Sequence, residues 1–393
     1  MKCTINRLVL KPIVCLYRTC RRILYFCYYA FRSFKIYYWN AYPRSIDWVL
    51  TGGCNSKCIF CEVPSTTKHD LTKENIFKHI DDAIRDMKIK EIYFTGGEIF
   101  LRKDIWDILT YTKQKRLRIS LTSNGLLVPK FSEKQLDILN KTVSIFRISL
   151  DSTDNEQYDH IRGVRGAYEN VLTAIDILRQ LPYLRVIITA VVMKTNYTEI
   201  PKLCRLAKGH GVHVLEFQPL CPDTVFVGTK PLEEKKKMLF QTEDELIDLK
   251  VKIQEGIEIS REMGVFTNLP LFYHYAPEYF RGFILGTADK EKYQDRLVSS
   301  FMCRQVKRSI AVDYDGSVKP CLLLPAGGHV NAISLKDQYD NFKKFRQNLV
   351  AGKFHKKCGH CFCNTGEGIL LSILVAPIKN RKILVDVFKK GLV

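Results

Sequence analysis

From residue 45 the chain alternates short apolar, β-branched runs with longer stretches of 3.6-residue periodicity, and this rhythm restricts the fold more than any other feature. SIDWVLT (45–51), EIYFTGG, LRISLTSNG, SIFRISLD, LRVIITAVVM and VHVLEFQPL read as strands. The stretches 72–87, 103–115, 132–140, 166–181, 197–209 and 242–264 read as helices, the first with Thr72 near its N-cap. Strand and helix in repeated succession imply parallel pairing with right-handed crossovers, because a parallel neighbour cannot be reached through a tight turn. The expected class is α/β, curled as a partial (β/α)6 TIM-like barrel over residues 45–265.

Barrels of this kind carry their chemistry at the C-terminal ends of the strands. Directly after the first strand, TGGCNSKCIFC places Cys54, Cys58 and Cys61 in C-x3-C-x2-C spacing. A structural zinc site wants four ligands and disulfides want pairs, so three thiols leave a place to fill. Thiolates so close on one loop can share an iron–sulfur cube and leave one iron open to an outside ligand. A degenerate zinc site is the competing reading. Phe60 offers an aromatic face to a cluster or a nucleobase. At the second strand end, Gly96 and Gly97 let backbone approach a ligand closely, and Glu98 can accept hydrogen bonds from an ammonium group. Asn124 at the third strand end adds a small polar group. At the fourth, Ser149 and Asp151 share one side of the strand and suit ribose hydroxyls, while Arg162 suits a carboxylate. Each taken alone fits turn chemistry or a surface ion pair equally well. On successive strand ends they describe a pocket for a zwitterionic amino acid joined to a nucleoside.

CNSKCIFC, TGGE, TSNG and SLDS, in this order, resemble the radical S-adenosylmethionine (SAM) superfamily over about residues 45–265. The resemblance implies that Cys54, Cys58 and Cys61 hold a [4Fe–4S] cluster whose open iron is chelated by the amino and carboxylate groups of SAM. It also implies that Gly96, Gly97 and Glu98 contact the methionyl ammonium, with Ser149 and Asp151 near the ribose and Arg162 near the SAM carboxylate. The fifth strand, ITAVVMKTN, lacks the glycine-rich adenine motif of some members, which leaves adenine contacts near Val192–Asn196 open.

A second cysteine set, Cys303, Cys321, Cys358, Cys361 and Cys363, follows the barrel. AVDYDGSVKPC reads as a hairpin turning at Asp315-Gly316, and KKCGHCFCN as a C-x2-C-x-C knuckle. The arrangement resembles SPASM and Twitch extensions, which hold auxiliary iron–sulfur clusters. A full SPASM region has seven cysteines for two clusters, so five fit one auxiliary [4Fe–4S] cluster. Cys303, Cys321 and Cys358 would be ligands, with Cys361 and Cys363 competing for the fourth place. A four-cysteine zinc knuckle is the alternative. Cys204 and Cys221 read as fillers of apolar gaps. The division expected is a basic aromatic segment over 1–44, the core over 45–265, a connecting or substrate-covering segment without clear periodicity over 266–300, the cysteine-rich region over 301–365 and an amphipathic tail over 366–393.

A net charge of +20 calls for an anionic partner. Residues 1–46 hold nine Lys and Arg, no Asp or Glu, and eleven Tyr, Phe and Trp. A helix over about 13–38 would set Arg18, Arg21, Arg22, Tyr25, Tyr28, Tyr29, Arg32 and Lys35 opposite an apolar stripe, the pattern of a helix in a membrane interface. Docking on its own domain and nucleic-acid binding are the other readings. Only nine uncharged residues lie between Arg22 and Arg32, too few to span a bilayer, and no clean cleavage site marks an export signal. Clustered cysteines in so long a chain point to metal or redox chemistry in a reducing compartment. The expected setting is cytoplasmic, at the inner face of a membrane.

The function expected from the resemblance is reductive cleavage of SAM to a 5′-deoxyadenosyl radical that modifies an unactivated carbon. A one-electron donor such as ferredoxin or flavodoxin would feed it. The basic ends favour a membrane-associated lipid or isoprenoid as substrate. Peptide or protein maturation is the runner-up, though only about 45 residues precede the barrel and leave little room for a peptide-binding module. A non-catalytic iron–sulfur or zinc protein binding nucleic acid is the reading from another class.

Overall fold

The structure, a computed structural model, describes residues 42–61, 69–221, 234, 237–285, 303, 305–351, 353 and 358. The expected strands appear as β1 (Ser45–Val49), β2 (Glu91–Thr95), β3 (Arg118–Ser123), β4 (Val143–Ser149), β5 (Arg185–Val192) and β6 (Val214–Pro219), parallel and adjacent in chain order. The helices expected between and after them are α1 (Lys73–Met87), α2 (Ile105–Gln114), α3 (Glu133–Thr142), α5 (Ala167–Arg179), α6 (Ile200–Gly209) and α7 (Glu243–Met263). Local chemistry sets their ends. Thr72 caps α1 by accepting from Asn75 N, and Ser132 forms a capping box with Gln135 at α3.

Period-2 alternation divides the sheet into two faces. Ile92, Phe94, Ile119, Leu121, Phe146 and Ile148 are buried in the main core that the helices share. Tyr93, Ser120, Thr122, Arg147, Thr189, Glu216 and Gln218 alternate with such residues and stay partly exposed on the concave face. The mixed α/β partial barrel is therefore present as expected, with its helices on the convex side.

Three elements depart from the sequence reading. An additional helix, α4 (Asn155–Arg162), precedes α5; NEQYDHIR is too short and polar to show a helical stripe, and its caps define it. Asp154 accepts from Gln157 N at its start, and Gly163, at φ 63°, ends it in the left-handed region. The stretch expected to be a connector begins with β7 (Phe266–Thr267), paired to β6, and α8 (Leu269–Ile284). Leu269, Leu271, Phe272, Tyr275, Ala276, Tyr279 and Phe280 are all buried, and Pro277 lies inside α8, where a sequence reading expects a helix to break. The cysteine-rich region also joins the barrel sheet. After α9 (Gln305–Arg308), β8 (Ser309–Val312) runs parallel to β1, and β9 (Ser317–Lys319) returns antiparallel through the expected Asp315-Gly316 turn. Gly316 has φ 90°, which explains the glycine there. With β10 (Gly328–His329), the described residues form one sheet ordered β10-β9-β8-β1-β2-β3-β4-β5-β6-β7, followed by α10 (Leu335–Asn341) and α11 (Lys343–Val350).

The expected N-terminal helix, the tail over 366–393, Cys361 and Cys363 lie outside the described residues. Among the described residues, no helix is long and apolar enough to cross a membrane.

Candidate functional site

The cysteine loop leaves β1 and lies backbone against backbone on the end of β2. Leu50 N donates to Thr95 O at 2.7 Å, Gly97 N to Thr51 O at 2.9 Å, and Glu98 N to Gly53 O at 2.7 Å. A methyl group at Gly97 would come within 2.0 Å of the Gly53 carbonyl oxygen, and one at Gly96 within 2.7 Å of Thr51 O. The glycines thus seat the cysteine loop on its neighbour. Below the loop, Thr51 Oγ1 donates to Asp70 at 2.5 Å and Gly52 N to the same carboxylate at 3.0 Å. Buried Arg102 donates to Leu50 O at 2.8 Å and to Leu71 O at 3.0 Å. Asp70 and Arg102 were missed in the sequence, where nothing distinguishes them from surface charges.

The third strand end holds the loop from another side. Asn124 Nδ2 donates to Asn55 Oδ1 at 2.8 Å and to Ser56 Oγ at 3.0 Å. Glu98 links the second and third strand ends, accepting from Phe100 N at 3.2 Å, from Ser123 Oγ at 3.0 and 2.9 Å, and from Asn124 N at 2.8 Å. Its carboxyl is wholly buried, and the cost of desolvating its charge outweighs these donors, pushing it up to about 7. Expected as an acceptor for an ammonium group, Glu98 here turns inward to protein donors.

The fourth strand end supplies a buried charge. Lys57 N donates to Arg162 O and Ile59 N to Ile161 O, both at 3.0 Å, so the end of α4 is stitched to the cysteine loop. Gly163 permits this approach, since a methyl group there would meet Lys57 O at 2.4 Å. Arg162 Nη1 donates to Cys58 Sγ at 3.7 Å, and Nη2 lies 2.5 Å from Asp151 Oδ2. Its guanidinium sits 5.8 Å from the Phe60 ring centre and 5.5 Å from that of Tyr158. Asp151, expected at a ribose, is fully buried in this pair and accepts from Val191 N at 2.8 Å. Arg162, expected at a ligand carboxylate, has Asp151 as its carboxylate partner. Ser149 remains partly exposed at the mouth, its carbonyl accepting from Tyr158 at 2.7 Å.

The donor set fits an iron–sulfur cluster. Burial pushes the Cys54 thiol up to about 12, with the neighbouring Glu98, Cys58 and Cys61 adding to the rise. Such a thiol ionises near neutral pH only with positive metal charge beside it. N–H donors already address two of the sulfurs, since Ser56 N lies 3.4 Å from Cys54 Sγ and Arg162 Nη1 serves Cys58. Among the described residues, no three His, Cys, Asp or Glu side chains close on a single ion. A cube needs no such convergence, because each thiolate takes a different iron.

Cys303, Cys321 and Cys358, the first and last 55 residues apart in the chain, pack in a small separate cluster with Val306, Leu324, Leu349 and Phe345. Cys204 is wholly buried in the main core, as expected of an apolar filler. The concave face carries a polar belt that the sequence reading missed. Tyr93 and Thr122 share a hydrogen bond of 2.7 Å, and Arg147 Nε donates to Glu216 at 3.3 Å while its guanidinium lies 5.8 Å from the Tyr93 ring centre. Charged residues at alternate positions inside IFRIS and VLEFQP were the available signal.

Residues 48–207 match the model of the Radical SAM superfamily. A Methanosarcina barkeri AdoMet-dependent heme synthase is 28% identical over 330 residues, covering 81% of this chain and 88% of its own length. A probable GTP 3′,8-cyclase of Methanocaldococcus jannaschii is 26% identical over 292 residues, covering 71% of this chain and 85% of its own. Among solved structures, Streptococcus suis SuiB bound to the precursor peptide SuiA superposes with a TM-score of 0.58 at 16% identity, covering 84% of this chain and 71% of SuiB. The anSMEcpe structure with bound AdoMet and a Cp18Cys peptide gives 0.54 at 15% identity, covering 89% and 96%. These last two likenesses concern the fold.

Proposed function

The chain is a radical SAM superfamily enzyme, and on that premise we propose that it acts on a substrate that presents a polar, anionic group to the concave face of the barrel. The observation that carries this reading is the belt of Tyr93, Thr122, Arg147 and Glu216, partly exposed on the face that opens toward the cysteine loop. Cys54, Cys58 and Cys61 would hold a [4Fe–4S] cluster, which when bound supplies the electron that cleaves SAM to methionine and a 5′-deoxyadenosyl radical. The protein's own part is positional. Asn124, Glu98 and Arg162 fix the loop from three strand ends, and Gly97 allows its close seating. Ser149, half-buried at the mouth, would offer its hydroxyl to a ribose. Arg147 keeps its Nη groups without another partner among the described residues, which suits an incoming carboxylate or phosphate.

The finer reading is a membrane-associated lipid or isoprenoid whose anionic headgroup meets Arg147. The basic aromatic residues 1–44 and the basic tail support it from the sequence side. Heme and GTP, named for the relatives, also carry anionic groups. Peptide maturation is the second reading, and the same polar face favours it. Cys303, Cys321 and Cys358, gathered in one buried cluster, would hold an auxiliary cluster with a fourth ligand from Cys361 or Cys363. The deciding experiment is mass spectrometry of lipid extracts from cells with the active gene and with Cys58→Ala. A lipid that changes mass only with the active gene supports the reading. An unchanged lipid profile, with a modified peptide in its place, moves the assignment to maturation.

A further inference from the structure

Arg162 carries a charge in a place where charge is costly. It is 6% exposed, and among the described residues its buried Nε has no hydrogen-bond partner. Its remaining nitrogens face two groups of opposite consequence: Cys58 Sγ at 3.7 Å and the carboxylate of Asp151 at 2.5 Å. Asp151 is itself fully buried, so little water screens either charge from the sulfur. The loop is also held apart from this pair, by backbone hydrogen bonds from Lys57 and Ile59 to α4 and by Asn124.

We propose that Arg162 and Asp151 act as an opposed pair that sets the reduction potential of the cluster held by Cys54, Cys58 and Cys61, Arg162 raising it and Asp151 moderating the rise. This rests on the reading that those cysteines hold a [4Fe–4S] cluster. The step concerned is uptake of one electron from an external reductant, with no bond made or broken at either residue. Reduction adds negative charge that spreads onto the thiolate sulfurs. An N–H donor and a positive charge beside Cys58 stabilise that charge, and a nearby carboxylate opposes it. Arg162 is thus a positioning residue that acts through Cys58.

The test uses the full chain, reconstituted anaerobically with iron and sulfide and titrated with dithionite. The readout is the paramagnetic resonance signal of the reduced cluster that is absent from Cys54→Ala. Arg162→Gln is expected to lower the reduction equilibrium constant about tenfold, a shift of about 59 mV to more negative potential for one electron. Asp151→Asn is expected to shift it the opposite way. Arg162→Lys, which keeps the charge but loses the planar fork, is expected to fall between wild type and Arg162→Gln. A purely structural role would reduce iron content in both variants without moving the potentials in opposite directions. Loaded variants with unmoved potentials, or with shifts of the same sign, overturn the proposal alone. A wild-type chain that shows no such signal overturns the cluster reading and this one with it. Should Arg162→Gln not retain iron, an unmoved or lowered potential in Asp151→Asn still overturns the proposal.

Discussion

The loop of Cys54, Cys58 and Cys61 is held by hydrogen bonds from the ends of β2, β3 and α4, whereas Cys303, Cys321 and Cys358 sit among Val306, Leu324 and Leu349. Hydrogen bonds fix orientation without covering the group they fix, so a polar cradle can leave one side open to a small molecule. Apolar packing fixes a group by covering it and excluding water. The first arrangement suits a site that exchanges a ligand, and the second sets Cys303 and Cys321, half-buried, and Cys358, buried, against apolar side chains.

The largest effect separates the two sites by activity. Cys58→Ala should abolish 5′-deoxyadenosine formation from SAM and dithionite, a loss of at least about 100-fold, since outer partners of metal ligands alone cost 10–100-fold. Cys321→Ala should lose iron yet keep measurable nucleoside formation, and equal losses would break the comparison. Next in size is Gly97→Ala, where the new methyl would sit 2.0 Å from Gly53 O. Overpacking of this kind costs about 3 kcal/mol, read by urea denaturation, and should deprive the first site of iron while the second keeps it. Leu324→Ala should do the reverse; it removes packing around Cys303, Cys321 and Cys358 only.

A pH effect sharpens the contrast further. The Glu98 carboxyl is raised from 4.5 to about 7, so the folded chain holds this proton more tightly than the unfolded chain. The stability it contributes is full below about 4.5 and is lost as pH rises through about 7. Unfolding free energies of the metal-free chain from urea denaturation, measured from pH 4.5 to 8, should fall by on the order of 2–3 kcal/mol relative to Glu98→Gln. A parallel profile in the two proteins would show that the Glu98 hub does not bear on the fold. The smallest effect is on substrate. Arg147→Gln should leave SAM cleavage without substrate within about twofold, and raise KM for the true substrate about tenfold, roughly 1.4 kcal/mol.

The cysteines, the glycines and the alternation of strand and helix were readable in the sequence because each depends on neighbours within a few positions. Thr72, Ser132 and the Asp315-Gly316 turn belong to the same class of local signal. Helix α8 was not readable, since Pro270 and Pro277 in its sequence read as helix breaks. Nor were the partners of Glu98, Asp151 and Arg162. Their residue types fit a ligand and a protein partner equally well, and only proximity decides between them. Arg162 and Cys58 are far apart in sequence and meet because α4 returns to the cysteine loop.

By itself the sequence determined the α/β barrel and the three-cysteine loop, because spacing and periodicity are local and follow from backbone geometry. The tertiary structure decided that the strand-end motifs brace the cysteine loop, that the second cysteine region extends the barrel sheet through β8, and that a polar belt lines the concave face. These depend on parallel strands distant in the chain coming side by side, where each buried polar group must find a partner and the partner is whatever the register brings to it.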